Sequence, residues 1–221
     1  LTVNGIEWYA HKHLLHGKGR DRNNRWASHW DHHKVVRQNG FADAMYAPTL
    51  RHTFDHPHAR MEAGSLVKAA LILSPLALVA PLYTATLYYG AANYWYTHRR
   101  AHLDPEWGKR KVPWHYDHHM NSNQNANWCV TKPWFDYLMG TRVISSRDLQ
   151  ESNPLGVKLP QWAEKPLNRL ARRLAPRAFE KLDALAEEER HNQATGKQGY
   201  VPEFARDDDL AQGSNGQARS A

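Results

Sequence analysis

Cysteine is nearly absent from the sequence, since Cys129 is the only one in 221 residues. The chain can therefore form no intrachain disulfide and no cysteine-rich zinc or iron–sulfur site, and a bound metal would have to be held by nitrogen and oxygen. Motifs typical of zinc fingers, helix-turn-helix proteins and strand-borne RNA readers are also missing, although the formal net charge is +7. The basic excess accordingly favours anionic membrane lipid over nucleic acid as a partner.

Histidine is the residue in excess, with 15 copies. Two segments repeat the pattern His-x-x-His-His, whose three positions lie at i, i+3 and i+4 on a helix. Three imidazoles then leave one helix face and can converge on one or two metal ions. The two triplets are His29, His32 and His33, and His115, His118 and His119.

Two histidine pairs accompany the triplets. His98 and His102 are four residues apart, so they share one face of a helix. His11 and His16 lie in a helix predicted from Leu1 to Gly17. Their spacing of five turns the second ring about 140° from the first, which predicts that the two rings point towards different sides of a site. Together the triplets and pairs supply ten imidazoles, enough for two metals with four or five ligands each.

The other histidines and nearby carboxylates receive supporting roles. Pro57 argues against a helix around it, so a loop is predicted there. The histidines interpreted as surface or supporting residues are His13, His52, His56, His58 and His191. The carboxylates expected to orient metal-binding rings from behind are Glu7, Asp31 and Asp117.

A long apolar segment separates the histidine groups. Residues 69–97 carry no charged side chain, and a single helix of that length would exceed the roughly 30 Å hydrocarbon core of a bilayer. Pro75 and Pro81 favour a hairpin whose first arm begins near Leu66 and whose second arm continues past His98. Such a hairpin brings the histidines before and after it to the same side of the membrane. The alternative is a buried helix of a soluble protein, which the mean hydropathy of −0.77 favours.

The predicted fold class is all-α, with an integral-membrane helical hairpin and a histidine-rich cytoplasmic helical cap. Residues 1–141 form the di-metal domain, with its membrane segment at about 66–97. Residues 142–190 form a basic amphipathic helical region broken at Pro176, which lies either on anionic lipid or against the cap. Residues 191–221 are expected to be a disordered tail. Because the sequence opens on Leu1 rather than Met, we also expect either an alternative start or a fragment whose upstream helix is missing.

The order of the histidine groups carries a resemblance. They read His-x4-His, His-x2-His-His, His-x3-His and His-x2-His-His, with the apolar segment between the second and third. This order resembles the fatty acid hydroxylase and sterol desaturase superfamily of membrane di-metal enzymes. Glu7 resembles the acidic residue of the family's first motif, and Asn127 with WFDYLMGT at 134–141 resembles its ending, NFG followed by WDxLFGT. Trp128 and Cys129 stand where Phe and Gly are usual. The likeness covers roughly residues 5–141.

The resemblance implies an integral membrane enzyme with its active site on the cytoplasmic side. It implies two iron ions held by the ten histidines, with zinc as a substitute that fits the same nitrogen ligands. O2 would be the co-substrate, since breaking an unactivated C–H bond of a lipid substrate is beyond side-chain acids and bases. The chain has no recognisable flavin, haem or ferredoxin motif, so a separate electron-donor protein is implied.

Three alternatives stay open at this point. Members of the same superfamily also desaturate lipids, cleave aldehydes or alkyl ethers, or hydroxylate carotenoids, and WYAHKHLLHG resembles the carotenoid hydroxylases. A hydrolase that uses a metal-bound hydroxide would turn over without oxygen. A non-catalytic metal-binding membrane protein would show weak, adjustable metal stoichiometry.

Overall fold

The structure of the chain, a computed structural model, describes residues 1–47, 49–144, 153–157 and 159–206. In these residues all regular structure is helical, which confirms the all-α class for the described part. The α-helices are α1 (Thr2–Tyr9), α2 (Ser28–Gln38), α3 (Leu50–Asp55), α4 (Pro57–Leu73), α5 (Pro81–Leu103), α6 (Pro105–Lys111), α7 (Pro113–Met120), α8 (Trp134–Met139), α9 (Gln161–Leu174) and α10 (Pro176–Thr195).

The helices α4 and α5 form the predicted hairpin. A short 3-10 helix, Ser74–Leu78, joins them, and Tyr88 of α5 donates a hydrogen bond to the carbonyl of Ala70 on α4. The first arm begins at Pro57 rather than near Leu66, because a proline fits the first turn of a helix, where its missing N–H is not needed. The stretch His58–Leu78 is long and apolar enough to cross a membrane.

A segment expected to be a loop is helical. Residues 50–55 form α3, and the chain bends only at His56 before α4 begins, so the prediction of a loop around Pro57 is wrong except at that bend. The connection after the hairpin is the short helix α6. Its first turn is capped by the Asp104 carboxylate, which accepts a hydrogen bond from the Trp107 backbone N–H.

The C-terminal part departs from the expected tail. The break at Pro176 is present between α9 and α10, but α10 continues to Thr195. Beyond it, Val201 and Ala205 are buried against Trp30 of α2, so the prediction of a disordered tail is wrong for 191–206. The contacts of Val201 and Ala205 with Trp30 hold this otherwise polar segment in place. Residues 207–221 lie outside the described residues.

A buried ion pair ties α7 to the segment that follows α8. The Arg142 guanidinium lies 2.7 Å from the Asp117 carboxylate, and both side chains are fully buried. Arg142 also donates to the side-chain oxygen of Asn127, whose φ of 58° is in the left-handed region that Asn tolerates. The carboxylate of Asp136 accepts from the backbone N–H groups of Trp128 and Cys129. These bonds fix the turn that lies beside the histidines of α7.

Replacing Arg142 by leucine is expected to destabilise the protein by roughly 3–5 kcal/mol, because Asp117 would keep a buried charge without its partner. The measurement is the thermal unfolding midpoint of the purified chain. Arg190→Leu removes an exposed ion pair with Glu187 and serves as the matched control, with little change expected. Equal midpoints for the two variants would contradict the assigned role of the buried pair.

Candidate metal centre

The fold gathers all ten predicted histidines at the cap end of the hairpin. Each has at most 2% of its surface exposed. Nine of them form two groups in which the ring nitrogens lie within 4.8 Å of one another, and each group could hold a metal ion. The first group is His11, His16, His29, His33 and His118, and the second is His32, His98, His102 and His119.

The first histidine pair is brought together by an unusual helix. The chain continues from α1 as a π-helix, Ala10–Gly17, in which backbone hydrogen bonds join residues five apart. Residues spaced by five therefore lie on one face, and His11 and His16 both belong to the first group. The prediction that these two rings point to different sides of the site is wrong, because it assumed α-helical geometry.

Each triplet is shared between the two groups. On α2, His29 and His33 join the first group, while His32 joins the second. On α7, His118 joins the first group and the adjacent His119 joins the second. Adjacent histidines on one helix therefore belong to different groups, and the two groups lie side by side.

The tenth histidine, His115, lies against the second group. Its Nε2 is 3.1 Å from Nε2 of His102, and its ring centre is 4.9 Å from that of His98. In this position it could serve as a fifth donor of that group.

Backbone carbonyls fix the orientation of three rings. Nδ1 of His11 donates to the carbonyl of Trp128 at 2.6 Å, and Nδ1 of His118 donates to that of Ala126 at 2.6 Å. Nδ1 of His102 donates in the same way to Phe41 at 2.9 Å. A carbonyl can only accept, so in each neutral ring the proton sits on Nδ1 and Nε2 carries the lone pair.

Three other rings are held by side chains. The Asp43 carboxylate lies 2.6 Å from Nδ1 of His32, and Glu62 of α4 lies 2.7 Å from Nδ1 of His98. The side-chain oxygen of Gln124 lies 2.8 Å from Nδ1 of His33. Carboxylates behind metal-binding imidazoles are a recurrent arrangement in metalloproteins, where they fix the ring and raise its basicity.

The carboxylates that sequence reasoning chose for this role are engaged elsewhere. Glu7 accepts from the backbone N–H groups of Val130 and Thr131, and Asp31 pairs with Arg22 at the surface. Asp117 pairs with Arg142, as described above. Assigning ring contacts to Glu7 and Asp31 was wrong, because proximity in sequence to a histidine does not aim a carboxylate at its ring. The signal available for Glu62 was a lone acid at the start of an apolar helix.

The donor atoms fit a metal ion. In the first group, Nε2 of His33 lies 3.0 Å from Nε2 of His118 and 3.2 Å from Nε2 of His29. Two lone pairs facing each other at this distance repel and can form no hydrogen bond without an additional proton. Two nitrogens bound at about 2.1 Å and at right angles around one ion would be about 3.0 Å apart. In the second group, Nε2 of His32, His98 and His119 are buried without a hydrogen-bond partner among the described residues, and a shared cation would satisfy them.

Burial favours the neutral form of His11, His33 and His118. Desolvation lowers the pKa of His118 to about 3, although its bond to the Ala126 carbonyl opposes the shift. The pKa of His11 and of His33 is lowered well below the usual 6.5, first by burial and then by His118 nearby. Neutral imidazole is the form that binds metal, so the rings are ready ligands at neutral pH.

The remaining histidines stay outside the two groups. His13, His56 and His191 are exposed. His58, at the start of α4, is half-buried and stacks on the ring of His32 with centroids 5.5 Å apart, so it is a supporting residue. The side chain of His52 lies outside the described residues.

An apolar cavity of about 280 Å³ opens beside the histidines, between the first helical segment and the hairpin. One face of α4, from His58 to Leu73, lines it, and the fifteen helical steps between these two residues extend about 22 Å. His11 and His29 of the first group and His98 of the second also line it. The cavity therefore joins an apolar passage along the hairpin to both histidine groups.

No protein-family model, curated protein or solved structure matches the chain. The contacts described above are what support a metal centre.

Metal content should follow the two groups separately. The anaerobically prepared chain is expected to bind two divalent ions, and His11→Ala with His118→Ala should remove about one of them. His32→Ala with His102→Ala should remove the other. The measurement is elemental analysis after dialysis, and His13→Ala is the control because His13 is exposed and outside both groups. Loss of both ions from every variant, including the control, would contradict two separate sites.

The metal-free chain should lose stability as the pH falls below about 6.5. Its buried histidines have a lower pKa in the folded state, so the unfolded chain binds more protons and stability decreases towards acid. Each histidine protonated only on unfolding contributes about 1.4 kcal/mol per pH unit, until its folded pKa is reached. Unfolding midpoints between pH 7.5 and 5 test this. His118→Gln should reduce the slope, whereas His13→Gln should not, and a flat profile for the unaltered chain would refute the expectation.

Proposed function

We propose that the protein is a membrane-bound di-iron oxygenase that uses O2 to hydroxylate or desaturate a C–H bond of a lipid. The observation that carries the proposal is the junction of two buried histidine groups with one end of an apolar cavity. A metal-binding protein without catalytic function has no use for such a cavity at its donors. A hydrolase has little use for all-histidine donors facing a hydrocarbon passage.

The hairpin supports the membrane part of the proposal. The stretch His58–Leu78 is long enough to span, and its outer surface carries exposed Leu71, Ile72 and Leu78. A lipid could enter from the bilayer along α4 without crossing water, because that helix also lines the cavity. Arg99 and Arg100 follow on α5 and favour a cytoplasmic position for the cap.

Iron bound to the two groups would supply the oxygen activation and the redox equivalents that the side chains lack. The chain's own residues do the rest. Asp43 and Glu62 hold His32 and His98 in place, and the carbonyls of Trp128 and Ala126 hold His11 and His118. The apolar cavity wall excludes water and sets a hydrocarbon chain beside the donors. A separate donor protein would supply electrons.

The test is turnover of the iron-loaded chain in lipid, with O2, a chemical reductant and a lipid extract as substrate, followed by mass spectrometry of the lipids. We expect oxygen-dependent mass changes of a hydroxylation or a desaturation. Unchanged turnover under strict anaerobic conditions would refute the oxygenase and favour the hydrolase.

Two variants separate the cavity from the metal. Ala91→Phe fills the cavity that Ala91 lines, and we expect product formation to fall at least about tenfold while iron content stays the same. Ala92→Phe adds the same side chain at the next, exposed position of α5 and should be nearly silent. Equal activity of the two variants would show that this cavity does not hold the substrate.

A further inference from the structure

The helix α9 has a surface that no described part of the chain covers. Trp162 is 79% exposed, Leu170 52% and Leu174 76%, and none of the helix's residues is buried. With Pro166 these side chains are spaced by four residues, so each lies about 40° around the helix from the last and they form one stripe. We refer to Trp162, Pro166, Leu170 and Leu174 as the apolar stripe.

Along the edge of the apolar stripe that faces away from the protein core, the helix carries basic residues. Lys165, Arg169 and Arg173 are also spaced by four, about 100° around the helix from the apolar stripe, and all three are exposed. They form no ion pair with the described residues, unlike Arg172, which pairs with Asp183 of α10. On the other side, Ala171 packs against the cluster of Tyr137, Phe179 and Leu182. The apolar stripe thus lies between a packed edge and a row of unpaired positive charge, which we call the basic row.

The apolar surface continues towards the hairpin. Leu138 of α8 is exposed and lines the same groove as Leu174. The helix α8 packs on α1, where Phe135 contacts Gly5, and α1 packs on α5, where Val3 contacts Gly90. A path of packed elements therefore links α9 to the candidate membrane hairpin.

We propose that α9 docks on the surface of an anionic lipid bilayer, with its apolar stripe in the interface and its basic row at the headgroups. Charge complementarity selects this occupant, since an apolar face flanked by lysine and arginine is the pattern of helices that lie in an anionic interface. The docking gives the cap a second anchor beside the hairpin. It adds a surface to the proposed function and depends on that function only for the hairpin's insertion.

The experiment places environment-sensitive fluorophores on the full chain in nanodiscs of phosphatidylcholine alone or mixed with phosphatidylglycerol. Leu170→Cys reports on the apolar stripe, and Cys129 does not interfere because it is fully buried. Glu180→Cys on α10 is the exposed control. Leu78→Cys, at the turn of the hairpin, reports insertion separately. Quenchers carried by the lipid or dissolved in water then tell which probe contacts the bilayer.

We expect the probe at 170 to be quenched by lipid-borne quenchers in the phosphatidylglycerol discs and protected from the aqueous one, while the probe at 180 behaves oppositely. Changing Lys165, Arg169 and Arg173 together to Gln should lower the docked-to-undocked ratio by on the order of 100-fold, at roughly fivefold per charge. The probe at 78 should stay in lipid in every case.

Three results would overturn the docking proposal. They are a probe at 170 that stays open to the aqueous quencher in anionic discs, protection that disappears when residues 207–221 are removed, and protection that rises with protein concentration. The second would assign the apolar stripe to the chain's own C-terminal residues, and the third to a second copy. A probe at 78 outside the lipid would instead count against the membrane-bound oxygenase, whatever the probe at 170 reports.

Discussion

The arrangement of this protein depends on one electrostatic constraint. Several buried imidazoles are neutral, and each donates its single ring proton, on Nδ1, to a backbone carbonyl at the outside of the cluster. Carbonyls of Phe41, Ala126 and Trp128 accept from Nδ1 of three rings, so the lone pairs of those rings turn inward. Inside a water-excluding core those lone pairs repel one another unless a cation lies between them. The helices, the turn around Asn127 and the buried carboxylates together hold this otherwise unfavourable cluster of nitrogens.

The cluster also explains why the surrounding core is so polar. Asp43 and Glu62 are shielded from water, and each faces an imidazole nitrogen. Burial raises the pKa of Asp43 to about 6. The hydrogen bond to the His32 ring stabilises the ionised form of this carboxyl group against that shift. Apolar burial lies at the edges of the cluster, where Trp30 of α2 and Trp114 of α7 are buried. Much of the stability of such a centre would come from a bound ion rather than from apolar burial.

Much of this could be predicted from the sequence, because helical spacing alone places each triplet, and the pair His98 and His102, on one helix face. The ten histidines stand out by their repeated spacing, and the hairpin follows from the uncharged run 69–97 with Pro75 and Pro81 inside it. The π-helix could not be predicted, since reading His11 and His16 at 3.6 residues per turn separates rings that the fold unites. Asp43 and Glu62 could not be assigned to His32 and His98, because only the folded path brings 43 near 32 and 62 near 98. Residues 199–206 are held in place by a few apolar side chains that pack against Trp30, and no local sequence pattern predicts that these side chains are buried.

The path of the chain through the centre has a consequence for biosynthesis. Nε2 of His16 lies 3.2 Å from Nε2 of His118, which is 102 residues later in the sequence. Four of the five histidines of the first group therefore leave the ribosome, followed by the whole hairpin, before the fifth, His118, is made. An ion held by the first group would have to be loaded after both arms of the hairpin are made. The segment around Val201, which packs against Trp30, is translated later still. Assembly of the centre is thus a late event, and it follows membrane targeting if the hairpin is recognised as it emerges.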